Sequence, residues 1–95
     1  MTKAQIDLGK VGLWTGILDG LPSSAANELC AEAAELGFKT IWIPEAVGRD
    51  PFVTAMRVLE NTTEVTIATG IANIYARDAM TMANAQRSIE EAHPG

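Results

Sequence analysis

The chain has 95 residues, of which 47% are hydrophobic and 20% charged, a composition that is ordinary for one globular domain. Its net charge of −5 argues against a nucleic-acid partner, because affinity for a phosphate backbone comes from clustered Lys and Arg. One cysteine, Cys30, cannot form an intramolecular disulfide, and with the single histidine, His93, it leaves no cluster of zinc-site spacing. We therefore expect no structural metal.

No apolar run approaches the about 20 residues of a membrane span, and residues 1–10 lack the apolar core of a signal peptide. A single cysteine also fits a reducing compartment. These observations predict a cytoplasmic protein that does not enter a membrane.

Three mostly apolar segments predict β-strands, at Lys10 to Ile17, Phe38 to Pro44 and Val65 to Asn73. They do not alternate strictly between apolar and polar residues, which is typical of parallel strands covered on both faces. Their starts are almost evenly spaced, and each interval leaves room for a crossover helix. We therefore expect three βα units, with parallel strands in the order 1-2-3 and right-handed crossovers.

The first helix is predicted to begin near Ser23 or Ser24, either of which could cap free backbone N–H groups. It should end at Gly37, a residue suited to the left-handed position after a helix. Cys30 lies on the apolar face of this helix and is predicted to belong to the core. The other apolar positions of that face are Ala26, Leu29, Ala33 and Leu36.

The second helix has a sharper start signal, with Asp50 as N-cap and Pro51 at the first helical position. Its predicted packing face is Phe52, Ala55, Met56 and Leu59. The third helix should begin after Asp78 and stop at residues 93–95, where His93 is expected to be exposed. Its predicted apolar positions are Met82, Ala85, Ile89 and Ala92.

Three βα units are compatible with the start of an eight-stranded barrel or with half of a doubly wound sheet. The second architecture usually carries phosphate-binding glycines after its first strand. Gly12, Gly16 and Gly20 match neither the dinucleotide-binding motif nor the P-loop motif. The barrel is therefore favoured.

Two parts of the chain resemble the luciferase-like monooxygenase family. Residues 69–77 (TGIANIYAR) look like the third strand of that family and the loop after it, and residues 78–80 and 88–95 look like its third helix and the turn that follows. Residues 41–45 with 48–52 look like a subgroup that uses the deazaflavin coenzyme F420. The chain is thus similar to the F420-dependent branch of this family.

The resemblance extends from Val11 to Gly95 and implies a flavin- or F420-dependent oxidoreductase built on a (β/α)8 TIM barrel. On this basis residues 1–95 are the N-terminal part of the barrel domain, with three of the eight strands in an incomplete barrel. The coenzyme implied is F420, with FMN as the alternative.

In such barrels the active site lies at the carboxyl ends of the strands. After the first strand, Trp14 could contact the substrate, although a strand tryptophan is often a core residue. After the second strand, Glu45 is the candidate catalytic residue. It could instead bond the coenzyme or the substrate, or be a solvated carboxylate or one paired with Arg49. Ala46 stands where family members that oxidise alcohols carry a histidine base, so that mode of proton transfer is not expected.

After the third strand, the resemblance implies that Gly70, Ile71, Ala72 and Asn73 support one face of the coenzyme ring, and that Asn73 offers its amide to the polar edge of the ring. It also implies a cis peptide at Gly70–Ile71 in the intact, coenzyme-bound barrel, whereas a trans bond is compatible with the shorter chain. The alternative for Gly70 and Asn73 is an ordinary turn, because both residue types tolerate unusual backbone angles.

The predicted function is hydride transfer between a deazaflavin and a small organic substrate, with an FMN-dependent monooxygenase as the close alternative. A catalytically silent fragment that acts as a folding or interaction module is an alternative of another class. We expect no turnover by the 95-residue chain alone, and we expect it to form a homo-oligomer or to need the rest of a barrel, since its strand edges and inner sheet face would otherwise be exposed.

Overall fold

The structure of the protein, a computed structural model, describes residues 6–62 and 64–95. In that part of the chain three strands alternate with three α-helices, and a short 3-10 helix spans Ile17–Gly20. The strands are β1 (Leu13–Trp14), β2 (Thr40–Ile43) and β3 (Thr66–Thr69), and the helices are α1 (Ser23–Glu35), α2 (Pro51–Leu59) and α3 (Ala79–Ala92).

The strands form one open parallel sheet in the order β1-β2-β3. This α/β arrangement confirms the predicted βα units and is the architecture of the first part of a TIM barrel. Each strand is shorter than its apolar segment, and β1 pairs only through Leu13 with Ile41 and Trp14 with Trp42. The flanking apolar residues Val11, Ile17 and Ile71 are exposed, so an apolar run by itself does not fix where the strand pairing ends.

The start of α1 corrects the sequence prediction. Its N-cap is Pro22, whose carbonyl accepts the N–H of Ala26 at 3.0 Å, and no side chain caps the helix. Ser23 and Ser24 lie inside the first turn, because Pro22 already has the extended backbone of an N-cap, with ψ of 154°. Gly37 has a φ of +99°, which confirms the left-handed end.

The starts of α2 and α3 confirm their predictions. Oδ1 of Asp50 accepts the backbone N–H groups of Phe52 and Val53 at 2.9 and 3.1 Å. Oδ1 of Asp78 accepts the N–H of Thr81 at 2.7 Å. Each aspartate therefore satisfies donors that have no partner within the helix.

The core lies between the helices and one face of the sheet. Cys30 is 1% exposed, which confirms its place in the core. Ile41 and Ile43 point to the same side, whereas Trp42 between them points to the opposite face, as strand alternation requires. The buried apolar cluster consists of Leu18, Ala26, Cys30, Ala33, Ile41, Ile43, Ala55, Val58 and Val65.

Several predicted helix faces differ in detail from the structure. Leu36 is 72% exposed, because it lies at the end of α1, beyond the part that packs on the sheet. The buried side of α2 is Pro51, Thr54, Ala55 and Val58. In α3 no residue is fully buried, and Ala92 is exposed. His93 is half-buried rather than exposed, with an Nε2 atom that has no partner among the described residues.

No helix formed by the described residues covers the other face of the sheet. Trp14, Trp42 and Ala68 lie side by side on it, one on each strand. Trp14 is 57% exposed. In a closed barrel this face is the interior, whereas the three strands of the described residues form an open sheet that leaves it exposed. No helix of residues 6–62 and 64–95 has the length and apolar character needed to cross a membrane.

Candidate functional site

The carboxyl ends of the three strands meet at one edge of the sheet, as they must in a parallel arrangement. Trp14 ends β1, Glu45 follows β2 closely, and Gly70 comes directly after β3. The N–H of Gly70 donates to the carbonyl of Ile43 at 2.8 Å, which extends the pairing of β2 and β3 to this point. The structure therefore brings together the site residues predicted from all three strands.

Trp14 and Gly70 are in direct contact. A Cβ atom added at Gly70 would lie 2.6 Å from Cζ3 and 2.9 Å from Cζ2 of Trp14, and would be closer still to Cη2. Any side chain at position 70 would overlap the indole, so glycine is what permits the ring to approach the backbone. At this edge of the sheet, the outer atoms of an aromatic ring thus reach the backbone of residue 70.

Glu45 is held by three hydrogen bonds. Its Oε1 accepts the backbone N–H of Asn73 at 2.7 Å and Nη1 of Arg77 at 2.7 Å, while its Oε2 accepts Nη2 of Arg77 at 2.8 Å. The side chains of Arg77 and Glu45 are only 7% and 12% exposed. The result is a bidentate, largely buried ion pair between the end of β2 and the loop after β3.

Arg77 makes further contacts beyond Glu45. Its Nη1 also donates to the carbonyl of Asn73 at 2.9 Å. Its Nη2 lies 3.6 Å from Oδ2 of Asp50, and its guanidinium carbon is 5.1 Å from the centre of the Phe52 ring. The carboxylate that the sequence could have paired with Arg49 is thus paired with Arg77, and Arg49 is exposed.

These contacts shift the pKa values of Glu45 and Arg77. The Arg77 guanidinium, followed by the Asn73 N–H, lowers the pKa of Glu45 from 4.5 to about 2. The hydrogen bonds to Glu45 in turn raise the pKa of Arg77. Glu45 is therefore ionised at neutral pH, and a carboxylate of such low basicity is poorly matched to proton transfer near pH 7. Its geometry suits the positioning of the loop.

The ring-binding segment predicted from the sequence, residues 70–73, contains residues with different surroundings. Ile71 is 56% exposed and Ala72 is half-buried. Oδ1 of Asn73 accepts the N–H of Tyr75 at 2.9 Å, an arrangement typical of a turn. The side-chain nitrogen of Asn73 has no partner among the described residues. The Gly70–Ile71 peptide is trans, and the described residues contain no cis bond.

Arg77 is the residue that sequence reasoning missed, although it lay inside a motif used for the family resemblance. A signal was present, because Arg77 belongs to the loop after β3 and Glu45 follows the neighbouring strand. Parallel pairing brings such positions to the same edge. In residues 6–62 and 64–95 no three His, Cys, Asp or Glu side chains form a group that could hold a metal ion.

Comparison with known families agrees with this architecture. The family model described as luciferase-like monooxygenase matches residues 11–95, a range that contains all three strands and all three helices. Comparison with curated proteins gives no significant match, and neither does comparison with solved structures. Members of the matched family are oxidoreductases that use flavin or F420. Fold and family match lead to one conclusion: the chain belongs to the luciferase-like monooxygenase family.

Proposed function

We propose that this chain forms the ring-binding part of an F420-dependent oxidoreductase, which transfers hydride between a deazaflavin and a small organic substrate. The observation that carries the proposal is the contact between the Trp14 indole and Gly70, because it shows that the absent side chain at position 70 lets an aromatic ring reach the backbone at the carboxyl edge of the sheet. The similarity of residues 41–45 and 48–52 to an F420-linked subgroup favours F420 over FMN.

The residues at this edge fit a planar ring. Gly70 allows close approach to the backbone, Ile71 and Ala72 offer apolar contact, and the side-chain nitrogen of Asn73 could donate to a ring oxygen or nitrogen. The coenzyme supplies the hydride chemistry when it is bound, whereas the protein binds and orients it.

Trp14 and Glu45 are assigned different roles in this proposal. The exposed indole of Trp14 contacts the organic substrate beside the coenzyme ring, where an aromatic surface excludes water. Glu45, the candidate catalytic residue of the sequence analysis, acts in this proposal through the loop that it holds. With Ala46 beside it, this edge offers no imidazole base for the reaction.

An FMN-dependent monooxygenase is the alternative within the family. A catalytically silent interaction module is the alternative outside it, and one observation favours that role: large apolar side chains are exposed around the same edge. Val47, Ile74 and Tyr75 have relative exposures of 104%, 68% and 93%. Such a patch is typical of a surface that another copy or other chain segments cover.

We also propose that the protein forms a homo-oligomer and that it is located in the cytoplasm, a reducing compartment.

The test is a titration of the chain, and of a longer protein that contains it, with F420 and with FMN. Tryptophan fluorescence should report binding, with Trp14→Phe and Trp42→Phe variants to assign the signal. We expect saturable binding of F420 that changes the Trp14 emission, and hydride transfer only in a protein that completes the barrel. Absence of F420 and FMN binding in both proteins would contradict the redox proposal. Binding of FMN alone would favour the monooxygenase.

A further inference from the structure

We infer that Arg77 and Glu45 are positioning residues that hold the loop between β3 and α3 in the conformation needed to receive the coenzyme ring. This inference rests on the proposed function for the identity of the ligand. The loop comprises residues 70–78, and the contact between the two side chains is called the Glu45–Arg77 clamp below.

The loop has little else to hold its middle part in place. It contains no helix or strand, and Ile71, Ile74 and Tyr75 are all exposed, so burial of large side chains contributes little to its order. The N–H of Ala76 reaches only the carbonyl of Asn73, within the same loop. By contrast, the N–H of Asn73 crosses to Glu45 on the neighbouring βα unit. Gly70 ties the start of the loop to Ile43, so Glu45 and Arg77 are the principal tie between the middle of the loop and the residues after β2.

Arginine is suited to this position by its geometry. The planar guanidinium binds both oxygens of Glu45 and, through Nη1, also the carbonyl of Asn73. A lysine would supply a single ammonium on a flexible stem and could not reproduce the bidentate pair. The ring of Phe52 lies against the guanidinium and further restricts it. Glu45 and Arg77 together thus fix Asn73 at both its N–H and its carbonyl.

The consequence for ligand binding follows from the position of Asn73, the last residue of the ring-binding segment. Gly70 is fixed by its bond to Ile43, and Asn73 is fixed by the clamp, so both ends of the segment are anchored to β2 or to the residues after it. Small displacements of binding groups are costly, because the geometry must be set before the ligand arrives. Loss of the clamp should release one end of the segment and weaken ring binding.

The first test measures amide hydrogen exchange in the 95-residue chain. Arg77→Gln and Glu45→Gln should speed exchange at Asn73 by about tenfold or more, since Arg77→Gln no longer holds the carboxylate that accepts this N–H and Glu45→Gln removes the charge of that acceptor. The N–H of Thr66, which donates to Lys39 inside the sheet, should be unchanged and serves as the reference for global unfolding. Arg49→Gln removes the same charge from an exposed side chain and is the matched control.

Arg77→Lys separates charge from geometry. If the clamp acts by bidentate positioning, Arg77→Lys should resemble Arg77→Gln at Asn73. Unchanged exchange at Asn73 in both Arg77 variants, with Thr66 still protected, would overturn the inference. If exchange at Thr66 also becomes faster in Arg77→Gln, that variant has lost global stability. The inference is then tested with Arg77→Lys and Glu45→Gln, by comparing exchange at Asn73 with exchange at Thr66.

The second test uses the longer protein and whichever of F420 and FMN it binds. The clamp variants should raise the Kd by about tenfold while the turnover number at saturating coenzyme stays within about twofold. An unchanged Kd would show that the clamp does not contribute to binding of the coenzyme ring. If the unaltered protein binds neither coenzyme, the proposed function fails and so does the role toward the ring, whereas the exchange at Asn73 still decides whether the clamp orders the loop.

Discussion

The outer edge of the Trp14 indole reaches Gly70, although β2 separates β1, which ends at Trp14, from β3, which Gly70 follows. The contact joins the first βα unit to the third across the inner face of the sheet. It depends on the missing side chain at position 70 and on the length of the tryptophan. It therefore gives a direct way to test whether this edge is shaped for a flat ring.

Gly70→Ala should displace the Trp14 ring. The added Cβ would lie 2.6 Å from Cζ3, which is too close for two carbon atoms. Since Trp14 is 57% exposed and its outer ring atoms can move, the loss of stability should stay below about 1 kcal/mol, under the usual cost of overpacking a closed core. Tryptophan emission should shift, and coenzyme affinity should fall.

The control for this experiment is Gly20→Ala, because a Cβ there meets no atom within 4 Å. That variant should leave the tryptophan emission unchanged. A shift of equal size in both variants would mean that the emission change does not report the contact at Gly70. Urea unfolding provides the stability comparison.

Low pH should weaken the protein through Glu45. The folded-state pKa of Glu45 is about 2, below its ordinary value of 4.5. Because the folded value is depressed, the stabilisation is fully present above pH 4.5 and is lost as the pH falls from 4.5 through about 2. Urea unfolding at several pH values should show that the free energy of unfolding falls more steeply with decreasing pH in the unaltered protein than in Glu45→Gln.

The comparison with Glu45→Gln isolates this residue. The pKa of Asp7 is also lowered, by the hydrogen bond from Lys39, and that of Asp78 is lowered by the N–H of Thr81. Asp7 and Asp78 are present in both the unaltered protein and Glu45→Gln, so they contribute equally to the pH dependence of unfolding in the two proteins. If the free energy of unfolding falls equally steeply in the unaltered protein and in Glu45→Gln between pH 4.5 and 2, Glu45 does not form the clamp in solution.

Asp50 should contribute chiefly as the cap of α2. Asp50→Ala removes the acceptor for the N–H groups of Phe52 and Val53 and should lower the free energy of unfolding by about 0.5–2 kcal/mol. Asp50→Asn keeps a capping oxygen and removes the charge 3.6 Å from Arg77. A loss of stability as large in Asp50→Asn as in Asp50→Ala would assign the effect to the charge instead.

Cys30 should behave as a core residue. Cys30→Ser places a hydroxyl among apolar neighbours and should cost about 1–3 kcal/mol, whereas Cys30→Ala should cost less because it leaves no unsatisfied polar group. Burial also raises the pKa of the Cys30 thiol, so it should react slowly with thiol reagents in the folded state. Labelling as fast as in the urea-unfolded chain would contradict its burial.

Much of the fold could be predicted from local features of the sequence. Asp50 with Pro51, Asp78 and Gly37 mark helix boundaries because capping and the left-handed backbone depend on a few adjacent residues. The apolar segments and their spacing likewise predicted parallel strands in the order 1-2-3. The Ser23 and Ser24 caps were wrong because Pro22 takes the capping position one residue earlier.

The sequence by itself determined the element types, the strand order and the set of positions at the carboxyl edge, since hydrophobic periodicity and turn chemistry are local. Only the tertiary structure decided that Glu45 pairs with Arg77 and not with Arg49, and that Trp14 reaches Gly70. Both contacts join different βα units, so they depend on how parallel strands align at their ends. Periodicity within a segment carries no information about which side chains then meet.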